Sequence, residues 1–193
     1  MAHTGKEGVT LSNLTKKALL SAFGELIEEK PFNKITITDL TAKCGVNRMT
    51  FYYHFENIYE LMIWGLETQM HEASKDYINY ENWKTGYLRI FNFALDRKTY
   101  IKKIFQTLEQ ENLEHYLTKI AERMVLAVID DKIGGQILDE DDKHFTAQIC
   151  SHVLIVTLMN WVTRGMKETP EIMVKRVGRL LEGMIEKTIN EYQ

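Results

Sequence analysis

The densest set of hydrogen-bonding side chains in the sequence lies in the run Asn47-Arg48-Met49-Thr50-Phe51-Tyr52-Tyr53-His54-Phe55. Phe51 and Phe55 stand four apart, the spacing that puts two side chains on one helix face, so they can anchor a short helix to a core. The remaining surface then carries Asn47, Arg48, Thr50, Tyr52, Tyr53 and His54. Arginine can bond guanine through two N–H groups and asparagine can pair with adenine, so the first turn of such a helix has base-reading chemistry. Tyrosine, threonine and histidine side chains suit phosphate oxygens and fix register. A helix N-terminus adds free amides and the positive end of the helix dipole. From Lys30 to His54 the charges are Lys30, Lys34, Lys43 and Arg48 against Asp39 alone, a local positive excess in a chain whose formal net charge is −3.

These residues need a rigid mount, and the preceding segment reads as one. Thr36-Ile37-Thr38-Asp39 is a helix start: a Thr hydroxyl can accept from the amide three residues on, and Asp39 complements the positive helix end. Ile37, Leu40 and Ala42 can face inward. Gly45, between Cys44 and Val46, can turn the chain with positive φ at little steric cost. Asn47 is then a good N-cap for a second helix from Arg48 to Phe55. Two short helices joined by a tight Gly-containing turn are the sequence form of a helix-turn-helix. Before it, Leu14, Ala18, Leu19, Ala22, Phe23, Leu26 and Ile27 recur at three- and four-residue spacings on one helical face, and that helix stops at Pro31.

On these residues, positions 15 to 62 resemble the DNA-binding domain of the tetracycline-repressor (TetR) family of regulators. The stretch from Ile35 to Val46 is similar to that family's second helix and turn, and Thr50-Phe51-Tyr52-Tyr53-His54-Phe55 to its recognition-helix signature. The resemblance implies that Thr38 and Arg48 read bases. It implies that Thr36, Thr50, Tyr52, Tyr53 and His54 touch backbone or base methyls. Two positions depart: Ile58 stands where members often carry a phosphate-binding lysine, and Met49 is larger than the usual residue there. The loss at Ile58 shifts phosphate anchoring onto Lys43, the tyrosine pair and His54. Trp161 to Met173 and Asn57 to Leu61 resemble a Firmicute subgroup that includes an activator of dihydroxyacetone-kinase genes. No cofactor is expected.

The rest of the chain supports a larger helical body. With 193 residues, a 45% hydrophobic share and only two prolines, an all-α protein is expected. Residues 1–11 are polar and hold two glycines, and no regular structure is expected there. Residues 12–57 form the helix-turn-helix domain and 58–193 a helical ligand-binding and dimerisation domain. Helices are predicted from Ile58 to Tyr77 and over 83–95, 97–109, 111–132, 141–166 and 170–191. The resemblance implies a homodimer built from the last two. Val153, Val156 and Asn160 on one, and Leu180 and Met184 on the other, fit that role. Trp64, Tyr87, Phe91, Phe105, Leu108, Tyr116, Met124 and Trp161 are candidate walls for an apolar effector pocket, and equally residues of an ordinary core.

Other classes of function find little support. There is no nucleophile elbow, phosphate loop or metal-ligand motif, so no enzyme is expected. His71, His115, His144 and His152 lack the spacing of a metal site, even with Cys150 near His152. Cys44 and Cys150 form no disulfide framework and suit a reducing cytoplasm. The apolar run Val153 to Met159 is too short to span a bilayer. The sequence therefore predicts a cytoplasmic, homodimeric regulator, a repressor gated by a small molecule, reading a palindromic operator on double-stranded DNA. The alternative is a metal- or partner-protein-gated activator or adaptor of the same fold.

Overall fold

The computed structural model describes residues 4–107, 110–135 and 139–190. The described residues are all-α: α1 (Thr4–Glu29), α2 (Ile37–Cys44), α3 (Arg48–His54), α4 (Ile58–Ser74), α5 (Trp83–Asp96), α6 (Lys98–Thr107), α7 (Gln110–Ile133), α8 (Glu140–Thr163) and α9 (Pro170–Asn190), with single 3-10 turns at Phe32–Lys34 and Lys75–Tyr77. The chain divides into two compact units, Met1–Thr68 and Gln69–Gln193.

In the first unit α1, α2 and α3 pack on one another. Leu19, Phe23, Ile27, Leu40, Phe51, Leu61 and Met62 are fully buried. α1 begins at Thr4, so residues 4–11 are helical where glycines and polar composition predicted no regular structure. Extending an existing helix adds a hydrogen bond for each residue fixed, which offsets the roughly 1 kcal/mol that a helical glycine costs. Leu14, expected on the buried face, is 59% exposed, because the packed stretch of α1 starts only at Leu19. The unit boundary falls inside α4 rather than before it. The reason is close packing of the first turns of α4: Gly65 lies against the Leu20 side chain with no room for a Cβ unless Leu20 shifts, and Leu61, Met62 and Leu66 are buried.

In the second unit α7 packs along α8, α8 against α9, and α5 against α9. Tyr87, Phe91, Ile104, Leu113, Ile129, Ile155 and Leu181 form its core. Apolar residues surround α8 on most sides, which marks a helix covered by neighbours. By length and composition α8 could cross a membrane, but 56% of its most apolar stretch is buried within the protein.

Candidate nucleic-acid interface and body cavity

The helix-turn-helix is held by local caps. Thr36 Oγ1 accepts from the Asp39 amide at 3.1 Å, and Asp39 Oδ2 accepts from the Thr36 amide at 2.8 Å, a reciprocal capping box. Lys30 Nζ lies 2.7 Å from the same carboxylate. The hydrogen bond from Lys30, then those from Thr36, hold the Asp39 carboxyl down at about 2. Gly45 ends α2 at φ 68°, and the Val46 amide donates to Thr41 O at 3.0 Å. α3 starts at the Asn47 cap, whose Oδ1 accepts from the Thr50 amide at 2.8 Å and the Thr50 hydroxyl at 3.0 Å. Phe51 and Phe55 are buried and fix the rotation of α3, leaving Arg48, Met49, Tyr52 and Tyr53 exposed. Tyr53 is 82% exposed and Met49 76%.

Several donors expected on the reading face are taken up within the protein. The Thr36 hydroxyl donates to Asp39 Oδ2 and the Thr50 hydroxyl to Asn47, so both are bound up in capping. Asn47 keeps only its amide N–H groups, and cannot pair bidentately with adenine while it caps α3. Ala42 is exposed, and Thr41 is buried in its place, its hydroxyl satisfied by Ile37 O at 2.9 Å. Lys43 is drawn to α1, with Nζ 2.9 Å from Glu29 and 3.1 Å from Glu25. Glu29 first, then Glu25, raise its pKa. The His54 pKa is lowered by burial and then by the Lys16 charge, which favours the uncharged ring. Ile58 is half-buried. Thr38, Arg48, Tyr52 and Tyr53 remain, exposed and with side-chain polar groups that have no partner among the described residues.

Trp64 belongs to this unit and not to a pocket in the body. Its ring lies 5.7 Å from that of Phe55, and Lys16 Nζ sits over both, 5.4 Å from Phe55 and 5.5 Å from Trp64. Nothing in the spacing of the sequence points to Lys16; it is four residues before Leu20, on the stretch of α1 that also meets α4.

The second unit holds a partly open cavity of about 70 Å³ among α4, α5, α7, α8 and α9. Of the residues expected to line a pocket, Tyr87 and Met124 do so. Phe91 stands behind Tyr87, with its ring centroid 4.9 Å from Tyr87 and 4.7 Å from Trp161. Trp161 Nε1 donates to Glu168 O at 2.8 Å, tying down the turn after α8. Phe105 is half-buried outside the wall, Tyr116 is 48% exposed, and Leu108 lies outside the described residues. The wall instead includes Met70, Ser74, Trp83 and Cys150. The four-residue spacing of Met70 and Ser74 at the end of α4 was the available signal for two of them. Burial raises the Cys150 thiol to about 11, so it stays protonated at neutral pH.

On α8 and α9 an uncovered apolar face remains. Val156 and Asn160 are exposed and Val153 half-buried, while Leu180 is 63% and Met184 38% exposed. His71, His115, His144 and His152 are exposed. Among the described residues no group of three His, Cys, Asp or Glu side chains converges.

Comparison with known proteins agrees with this division. Residues 19–63 match the model of bacterial regulatory proteins, tetR family, and residues 81–183 match that of a transcriptional regulator C-terminal region. The HTH-type dhaKLM operon transcriptional activator DhaS of Lactococcus lactis subsp. lactis (strain IL1403) is 27% identical over 121 residues, 63% of this chain and 64% of that protein. The chain therefore matches just under two thirds of that relative's length. Among solved structures, the dihydroxyacetone kinase operon activator DhaS aligns with TM-score 0.68 at 23% identity, covering 90% of this chain and 97% of that one. A TetR transcriptional regulator from Rhodococcus sp. RHA1 aligns with TM-score 0.63 at 17% identity, covering 87% and 96%. At these identities the structural likenesses show the fold.

Proposed function

The chain belongs to the tetR family of bacterial regulatory proteins, a family of transcriptional regulators and not of enzymes, and from that premise we propose that it is a cytoplasmic homodimer that binds a near-palindromic DNA operator through α3 and is gated by a small molecule in the body cavity. The observation that carries the DNA reading is the exposed set Thr38, Arg48, Tyr52 and Tyr53, with free polar groups, on two short helices whose opposite faces are buried. Arg48 is the base reader, on guanine. The two tyrosines and Thr38 hold phosphates or base methyls.

The uncovered apolar side of α8 and α9 supports the dimer. Large exposed apolar residues grouped on adjoining helices mark an interaction surface, and a two-fold axis would make each copy cover the other. Two copies of α3 would then enter successive major grooves roughly 34 Å apart. α4 contributes Ile58–Thr68 to the first unit and Met70 and Ser74 to the cavity wall of the second. Ligand in the cavity therefore bears on a helix that both units share. The ligand acts by favouring one of two pre-existing operator spacings.

A second reading concerns the sign of control. Repression follows from an operator that overlaps a promoter, but the relative at 27% identity is an activator, which favours activation here. A promoter–reporter fusion with and without the chain separates the two.

The test of the DNA reading is fluorescence anisotropy on duplexes tiling the DNA upstream of the chain's own gene. A specific, salt-dependent site is expected. Arg48→Ala should weaken it by about 1–3 kcal/mol and relax preference at one base pair in each half-site. Equal binding of parent and Arg48→Ala to every sequence would remove Arg48 from base reading.

A further inference from the structure

We propose that the loop 78–81, between the 3-10 turn Lys75–Tyr77 and α5, is the flap through which the body cavity fills and empties, and that Tyr80 is its latch. This rests on the effector-gated reading above and adds the route by which a ligand reaches that site.

Burial marks where the wall is thin. Among the described wall residues Tyr77, Ile78 and Met124 are half-buried and all others are buried. Met124 belongs to α7, a helix of 24 residues, whose backbone bonds form and break cooperatively. Tyr77 is fixed to α5: Gly86 lies so close to its Cβ that a side chain there would press on it, and the Arg89 guanidinium sits 4.5 Å from the centre of its ring. Ile78 is left, at the start of a stretch with no helical backbone, and no residue from 75 to 82 is buried. Segments with few buried contacts and exposed hydrogen bonds are the ones that open locally at least cost.

What holds this loop closed is polar. Tyr80 Oη donates to Glu186 Oε1 on α9 at 3.0 Å, and the Tyr80 amide donates to Asp131 Oδ2 on α7 at 3.0 Å. Lys132 Nζ lies 4.0 Å from the centre of the Tyr80 ring. Burial, and then the Glu186 carboxylate, push the Tyr80 phenol up to about 12, so at neutral pH it keeps the proton it donates. Asn79 closes the turn on itself: its Oδ1 accepts from the Asn82 amide and its carbonyl from the Trp83 amide, both at 3.0 Å. The loop can therefore leave α7 and α9 without losing its own turn. Tyr80, Glu186 and Asp131 are not wall residues, so the latch acts on passage and not on the bound ligand.

The experiment uses the full-length chain with 13C-labelled methionine methyls and xenon as the probe, an uncharged atom that enters apolar cavities; the wall carries no Asp, Glu, Lys, Arg or His. Met70 and Met124 report from the wall, assigned by loss of signal in Met70→Leu and Met124→Leu. Their shifts against xenon pressure give Kd, and relaxation dispersion at half saturation gives the entry and exit rates. Tyr80→Phe removes the donated hydroxyl and keeps the ring. It should raise both rates about two- to tenfold, the worth of one net hydrogen bond, and leave Kd within about twofold. Glu186→Ala should do the same from the other partner, and carries the test alone if Tyr80→Phe does not fold. The two together should be no faster than the faster single variant, because they break one shared bond. Arg176→Gln, which breaks the ion pair to Glu168 elsewhere on α9, should change neither rate. The proposal is overturned if both latch variants leave the rates as they were, if Arg176→Gln raises them equally, or if Kd rises while entry stays constant. In each of those cases xenon still saturates Met70, and the cavity stands as a site with its entrance elsewhere. If xenon saturates neither methionine, the cavity is no ligand site, and the flap and the effector reading fall together.

Discussion

Asn47 separates two roles that its residue type allows. Its Oδ1 accepts two hydrogen bonds from Thr50, at 2.8 and 3.0 Å, and α3 has only seven residues. A helix that short has no stability of its own in water, so losing its cap weakens the packed unit rather than fraying one end. Removing an Asn cap costs about 1 kcal/mol, within a range of ~0.5–2. If the first unit, Met1–Thr68, melts independently, 1 kcal/mol corresponds to about 4–8 °C in Tm; if the chain melts as a whole, about 2–4 °C. Asn47→Ala should therefore lower the midpoint by several degrees. Asn47→Ser caps nearly as well and should recover most of that loss. On DNA, with salt held fixed, Asn47→Ser should bind specific and mismatched duplexes within about twofold of the parent, because the parent side chain is occupied with its own helix. A bidentate Asn–adenine pair is worth about 1–3 kcal/mol. An Asn47→Ser variant with parental Tm that loses tenfold or more in affinity, with its discrimination lost at one A·T pair, would show that Asn47 reads a base and that the capping assignment of its role is wrong.

Three further outcomes follow from the same geometry. Lys43 is held by Glu25 and Glu29, so Glu25→Gln with Glu29→Gln should free it for phosphate and steepen log K against log salt by about 0.9 for each phosphate newly neutralised; an unchanged slope would show that Lys43 does not reach DNA. Asp39 has a folded pKa of about 2 against an ordinary 3.8, so its contribution is complete above pH 3.8 and is lost as pH falls from there towards 2; urea midpoints across that window should fall less steeply in Asp39→Asn than in the parent. Val156→Arg with Leu180→Arg places charge on the uncovered face of α8 and α9 and should give a monomer by light scattering; a dimer of unchanged affinity would put the interface elsewhere.

Features that depend on neighbours in sequence were readable from the sequence. Each cap is made by a residue three positions from its amide, Thr36 with Asp39 and Asn47 with Thr50, and the positive φ falls on Gly45. Helix periodicity likewise located α4 to α9 to within a few residues. What could not be read is which groups meet from distant segments. Lys43 finds its partners 14 and 18 positions back, at Glu29 and Glu25. The cavity wall is assembled from five helices, and aromatic type alone could not separate Tyr87, which lines it, from Phe91 directly behind.

The consequence for DNA binding lies in charge. The positive excess between Lys30 and His54 is partly cancelled in the folded unit: Lys30 pairs with Asp39 and Lys43 with two glutamates, and His54 is shifted toward its neutral form, which leaves Lys34, on the 3-10 turn before α2, and Arg48 as the exposed cations of the segment. With Ile58 supplying no ammonium, the reading face offers Arg48 as a full positive charge, together with neutral hydroxyls at Thr38, Tyr52 and Tyr53. Counterion release scales with the number of cations placed on phosphates, and neutral donors contribute little to it. Specific binding by this chain should therefore have a shallow salt dependence for a helix-turn-helix protein, resting on base and hydroxyl contacts more than on ionic ones. Lys43 would be the reserve that steepens the dependence when its partners on α1 are removed.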